Sequence, residues 1–112
     1  MRNTIKKHLD FITGPDAPSA TAAFFVVRAK KTSVPNDPRY GLVASKRTFR
    51  FAVQRNRAKR LLRDWIAAND DFMSPEYDYI FIARSAILGA SRDEGRAAMA
   101  RALEHIRKKY VA

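Results

Sequence analysis

The sequence predicts a two-layer α/β (α+β) sandwich, about three helices packed on one small, mostly antiparallel sheet, and three patterns carry that reading. Residues 51–69 switch to a 3.6-residue period, with Ala58, Leu61, Leu62, Trp65 and Ile66 on one stripe, as a helix lying on a sheet requires. Residues 77–83 alternate two sets that are both apolar, Tyr77/Tyr79/Phe81 and Ile80/Ile82, so this strand is expected at the centre of the sheet with both faces covered. Residues 24–29 and 39–45 are strand-like runs joined by a segment holding Pro35, Asn36, Asp37 and Pro38, which reads as an antiparallel hairpin.

The remaining elements follow in order. Ile5, Leu9 and Ile12 lie at helical spacing, and Gly14-Pro15 ends that first helix early. Residues 16–20, with Pro18 and Ser19, read as loop, and residues 71–76, with Ser74-Pro75, as a second loop. Ser91 with Glu94 three positions later predicts a capping box, and Met99, Leu103, Ile106 and Tyr110 supply the buried seam of a last helix. Lys108 and Lys109 in its final turn suit the helix dipole. The 112 residues leave room for one core, so one domain over 1–112 is expected.

Composition narrows the function classes. The chain has no cysteine, which excludes disulfide scaffolds, thiolate catalysis and Cys-based zinc sites. Its apolar runs fall far short of the roughly 20 residues that span a bilayer, and no signal-peptide pattern follows the basic N-terminus. The expected compartment is the cytoplasm. Charge is the outlier: 22 Lys and Arg against 11 Asp and Glu leave +11, which draws polyanions.

That charge is local. Lys46, Arg47, Arg50, Arg55, Arg57, Lys59, Arg60 and Arg63 place eight cations in positions 46–63 with no acid among them, and the rest of the chain contributes only +3. On a helical wheel with Ala58 at zero, Lys59, Arg63, Asn56, Arg60 and Arg57 fall between about 100° and 260°, opposite the apolar stripe. An ordinary solvated face mixes both signs for i,i+4 pairing, and the first acid here is Asp64. Lys46, Arg47 and Arg50 precede the helix and can meet phosphates near its N-terminus. Six of the eight are Arg, which favours bidentate phosphate contacts and stacking on bases. If about six met phosphates, affinity would fall by roughly four to five decades per tenfold rise in salt.

The sequence offers little for autonomous chemistry. His8 and His105 are the only histidines, and His105, beside the seam of the last helix, reads as structural or surface. No HExxH, Gly-rich phosphate loop or Ser/His/Asp set appears. Asp70-Asp71 follow the basic helix in a loop, where solvated acids are common, so no protein metal site is expected.

The segment Phe51-Ala-Val-Gln-Arg-Asn-Arg-Ala-Lys-Arg-Leu-Leu-Arg63 closely resembles the signature of the protein subunit of bacterial ribonuclease P, an Arg-Asn-Arg core followed by Lys-Arg on one helix. Arg55, Asn56, Arg57, Lys59, Arg60 and Arg63 match it position by position, and residues 39–47 and 77–84 resemble the family's strands. The resemblance implies a left-handed β-α-β crossover around the basic helix. It implies two partners, a catalytic RNA subunit and the 5′ leader of precursor tRNA, with Mg²⁺ held mainly by the RNA, and no membrane or small-molecule substrate. The protein would be the accessory subunit of an endoribonuclease with no catalytic side chain of its own. The basic helix would face the catalytic RNA, and the sheet face with the first helix would form the leader cleft.

The N-terminal third departs from the family pattern. Phe11 is the candidate cleft aromatic or else a core anchor, the second aromatic position falls at Pro15, and the strand aromatic falls at Arg28. Arg28 is expected to substitute by phosphate pairing or guanidinium stacking. Phe24, placed on the strand face of Arg28, is either a cleft or a core residue. The first helix and loop, 1–22, are expected to be short and partly mobile. Two other classes compete: a basic-helix DNA-binding module without a catalytic role, and a membrane-surface helix, for which Trp65, Leu61 and Ile66 would have to leave the core.

Overall fold

The strand read as central, Tyr77–Ala83, is flanked on both sides in the computed structural model, which describes residues 3–4, 17–32 and 39–111. The strands are β1 (Asn3–Thr4), β2 (Ser19–Thr21), β3 (Phe25–Lys31), β4 (Arg39–Val43) and β5 (Tyr77–Ala83), and their order across one sheet is β1-β4-β5-β3-β2. Two α-helices are described, α1 (Ala52–Ala68) and α2 (Arg92–Val111), with 3-10 turns at Asp70–Phe72 and Ser85–Gly89.

The expected hairpin between 24–29 and 39–45 does not form. β5 lies between β3 and β4, antiparallel to β3 with Val27 beside Phe81 and parallel to β4 with Leu42 beside Phe81. The reason is burial. Tyr79, Ile80 and Phe81 are each at most 2% exposed, and only a middle strand covers both of its faces. The sheet is therefore mixed rather than mostly antiparallel, since β1–β4 is parallel and β2–β3 antiparallel.

Two N-terminal expectations change as well. The helix expected over 1–12 gives way at Asn3–Thr4 to strand β1, paired with Arg39 and Tyr40; the rest of that segment, with Phe11, lies outside the described residues. Within the expected loop 16–20, Ser19 and Ala20 belong to β2, where Ala20 pairs with Val27 and turns inward at 8% exposure. Pairing to a formed neighbour overrides a local sequence with little strand preference.

Both helices pack on one face of the sheet. Phe25, Val27 and Phe81 from the sheet meet Leu62 and Trp65 of α1 and Met99, Leu103 and Ile106 of α2, all at most 1% exposed. Burying an indole removes roughly 200 Å² from water, about 5 kcal/mol of transfer free energy. Trp65 also holds Phe24 and Phe25 at ring distances of 5.9 and 6.2 Å.

Polar groups set the helix ends. The buried Asn69 ends α1 and donates from Nδ2 to the carbonyls of Trp65 (2.9 Å) and Arg96 (3.1 Å), so the end of one helix is tied to the other. The Ser91–Glu94 capping box forms as expected: Glu94 Oε1 accepts from Ser91 N at 3.0 Å and Ser91 Oγ from Glu94 N at 3.2 Å.

Candidate nucleic-acid interface

Helix α1 forms because its 17 residues, rich in Ala, Arg and Leu, contain neither Gly nor Pro. Ala58, Leu62, Trp65 and Ile66 are buried and Leu61 half-buried, so the apolar stripe is in the core. The opposite side is cationic and open: Asn56, Arg57, Arg60 and Arg63 are exposed, with Lys59 half-buried at the margin.

Before the helix, a short loop is held by its own hydrogen bonds. Ser45 Oγ donates to Thr48 Oγ1 at 3.0 Å and accepts from Thr48 N at 3.1 Å. Phe49, 1% exposed, anchors the loop in the core. Lys46 and Arg47 stand exposed on the turn between these anchors. Exposed Arg50 sets its guanidinium over the Phe51 ring, 5.7 Å from the centroid.

Arg55 differs from the other members of the motif. It is half-buried, and Nη1 donates to the carbonyls of Phe49 (2.9 Å) and Arg50 (3.2 Å), tying the loop to the helix. The wheel contains the signal, since Arg55 falls near 60° from Ala58, within the apolar arc. Asn56, Arg57, Lys59, Arg60 and Arg63 thus share one side of α1, Lys46, Arg47 and Arg50 stand exposed in the loop before it, and Arg55 ties that loop to the helix.

Among the described residues, none of these cations is ion-paired with an acidic side chain. Asp64, the nearest acid in sequence, receives two hydrogen bonds from Arg96 of α2, at 3.0 and 3.2 Å. The Arg96 hydrogen bonds and charge hold the Asp64 carboxyl below its ordinary value. The cationic surface therefore keeps its self-repulsion, which a polyanion would relieve.

The remaining predicted residues lie elsewhere. Arg28 is exposed on β3, on the sheet face opposite the helices, because Phe25, Val27 and Ala29 take the core side. Phe24 does not share that face. It precedes β3 and packs half-buried beside Trp65, because the chain bends there to close the turn with β2, with Ala22 N donating to the Phe25 carbonyl at 2.9 Å. Phe11 lies outside the described residues. The Arg28 face and the α1 face are thus two separate surfaces.

The Arg28 face contains a pair that sequence reading did not single out. Asp78 of β5 is fully buried and accepts from Arg39 N at 2.8 Å and Arg39 Nη2 at 3.1 Å. Lys30 lies across from it on β3. The available signal was an acid inside an otherwise apolar central strand, which demands a partner. Among the described residues, no three His, Asp or Glu side chains gather to hold a metal ion. No described helix is long and apolar enough to cross a membrane. Trp65 and Ile66, 0% and 4% exposed, are core residues rather than a membrane-facing stripe.

Comparison with known proteins agrees with this geometry. The model of the ribonuclease P family matches residues 2–107. The ribonuclease P protein component of Marinobacter nauticus is 33% identical over 86 residues, covering 77% of this chain and 63% of that protein. Its counterpart from Pseudomonas putida is 42% identical over 50 residues, 45% of this chain and 37% of that protein. The chain thus spans less than two thirds of the length of these relatives. The RNase P protein of Staphylococcus aureus superimposes with a TM-score of 0.72 at 26% identity, covering 97% of this chain and 95% of that one. The Thermotoga maritima RNase P protein, 22% identical over 77% of this chain and 84% of that one, shares the fold with a TM-score of 0.59.

Proposed function

Since the chain belongs to the ribonuclease P protein family, we propose that it serves as the protein subunit of that endoribonuclease, binding a catalytic RNA through α1 and the 5′ leader of precursor tRNA through the opposite sheet face. The observation that carries the proposal is the exposed, acid-free cationic side of α1, formed by Arg57, Lys59, Arg60 and Arg63 with Asn56. Lys46, Arg47 and Arg50 extend it toward the helix N-terminus, where unpaired N–H groups also favour phosphate. Six phosphate contacts would make binding steeply salt-dependent.

The separation of Arg28 from α1 supports a two-RNA reading, because one rigid protein can then touch both molecules at once. Arg28, with Lys30 beside the Asp78–Arg39 pair, would meet leader phosphates or stack on a base. The packing of Phe24 on Trp65 assigns it to the core rather than to that contact. The β4-α1-β5 connection joins parallel strands, and its proposed hand is the left-handed one of the family.

Hydrolysis of the phosphodiester bond is assigned to the RNA, with Mg²⁺ held there supplying the metal chemistry. This chain's residues neutralise backbone charge and hold the leader, so that the two RNAs associate at lower Mg²⁺. The proposed place of action is the cytoplasm.

Reconstitution tests the proposal. The protein alone should leave precursor tRNA intact, and adding it to a bacterial ribonuclease P RNA at low Mg²⁺ should restore 5′ cleavage. Failure to restore cleavage overturns the proposal.

A further inference from the structure

Two large apolar side chains stand in water amid the cations: Phe51 is 57% exposed and Val53 70% exposed. Phe51 occupies the N-cap of α1, a position that favours Ser, Thr, Asp or Asn because a side-chain oxygen can accept a free N–H of the first turn. Half of a capping box is already in place, with Gln54 Oε1 accepting from Phe51 N at 3.3 Å. A serine at 51 would complete it. The local rule for helix starts is thus broken, and an aromatic ring is left more than half exposed.

The ring is also held in place. Phe49 is buried just before it, and Arg55 holds the carbonyls of Phe49 and Arg50. Its neighbours are cations: Arg50 lies over the ring, Lys46 and Arg47 stand on the preceding turn, and no acid lies in the first turn of α1. Val53 falls at about 220° on the wheel, between Arg60 and Arg57, so it interrupts the cationic side rather than facing the core. A fixed, exposed aromatic inside a phosphate-binding surface has the features of a stacking platform, since every base has a π-face and ordering the ring costs little more entropy.

We propose that Phe51, with Arg50 over its ring and Val53 beside it, stacks an unpaired nucleobase of the bound RNA, adding a contact by base to a surface that otherwise grips phosphates. The proposal rests on α1 being the face that meets the RNA. Stacking adds affinity without releasing counterions, so it leaves the salt dependence of binding unchanged while the arginines set it.

The test measures binding of a bacterial ribonuclease P RNA to the full chain across a KCl series, together with thermal unfolding. Phe51→Ala and Phe51→Leu should each weaken binding by about 5- to 150-fold, the scale of one lost stack, with an unchanged salt slope. Phe51→Trp should retain affinity. Phe51→Ser should bind weakly while unfolding at a higher temperature than the unsubstituted chain, because it completes the capping box. Wild-type affinity in Phe51→Ala, or in Phe51→Leu, which keeps the apolar bulk without the π-face, overturns the stack and leaves the RNA-binding reading standing. Failure of the unsubstituted chain to bind the RNA above an unrelated RNA of equal length overturns both. Binding to anionic phospholipid vesicles that is lost in Phe51→Ala would assign the ring to a lipid surface and overturn the proposal.

Discussion

Gly95 of α2 lies against the indole of Trp65 of α1 so closely that a β-carbon there would collide with Cε2, Cζ2 and Nε1 of the ring. Glycine inside a helix costs about 1 kcal/mol relative to alanine, and here it permits the approach of the two helices. Since α1 carries the cationic surface, this contact helps set the direction in which the arginines point.

Gly95→Ala is therefore expected to lose about 2 kcal/mol in urea unfolding, overpacking strain exceeding the gain in helix propensity. Trp65 emission should shift to longer wavelength as the ring is displaced. Gly89→Ala is the control, because nothing lies within 4 Å of its would-be β-carbon, and its stability should stay within about 0.5 kcal/mol of the parent. Equal behaviour of the two variants would contradict the packing argument.

The Arg39–Asp78 pair leads to a second expectation. Asp78 has 0% side-chain exposure and Arg39 13%, so removing either side chain breaks this ion pair where water cannot readily replace it. Asp78→Ala should destabilise by about 3–5 kcal/mol, and Arg39→Ala by a similar amount. The double variant should lose less than the sum of the two. Strict additivity in a double-mutant cycle would show that the two residues act independently.

The Asp64–Arg96 bridge joins α1 to α2 and depends on pH in one direction. The Arg96 hydrogen bonds depress the folded-state pKa of Asp64 from its ordinary 3.8. Its stabilisation is therefore present above the ordinary carboxylate range and fades as pH falls through the lowered folded value. Both side chains are more than a third exposed, so Asp64→Asn should cost only about 0.5 kcal/mol at pH 7. The gap between the two unfolding curves should close below pH 3.8. A gap that widens in acid would reverse the sign of the linkage.

Arg57 and Arg55, two positions apart on one helix, should separate in their effects. Arg57→Ala with Arg60→Ala leaves the exposed face without two cations and should flatten the log–log salt dependence of RNA binding by about 1.5, with unfolding unchanged. Arg55→Ala removes the two hydrogen bonds to the preceding loop and should cost about 1–2 kcal/mol of stability. An unaltered salt slope in the double variant would mean that those arginines do not meet phosphates.

Local periodicity and composition encode a definite part of this protein. Helix α1 and its opposed faces, strand β5 at the centre, the Ser91–Glu94 cap and the seam of Met99, Leu103 and Ile106 were all legible, because each depends on residues a few positions apart. The family was legible for the same reason, its signature lying within one short helix.

Tertiary structure decided the rest. Which strands became neighbours was settled by the burial of both faces of β5, which separates β3 from β4 although they follow one another in the chain. It decided that Arg55 turns back onto a loop while Arg57 and Arg60 stay in water, that Phe24 leaves the Arg28 face for Trp65, and that Asp78 finds Arg39 across the sheet. Each of these outcomes depends on desolvation and close approach between segments distant in the chain, energies that come into existence only once the layers have met.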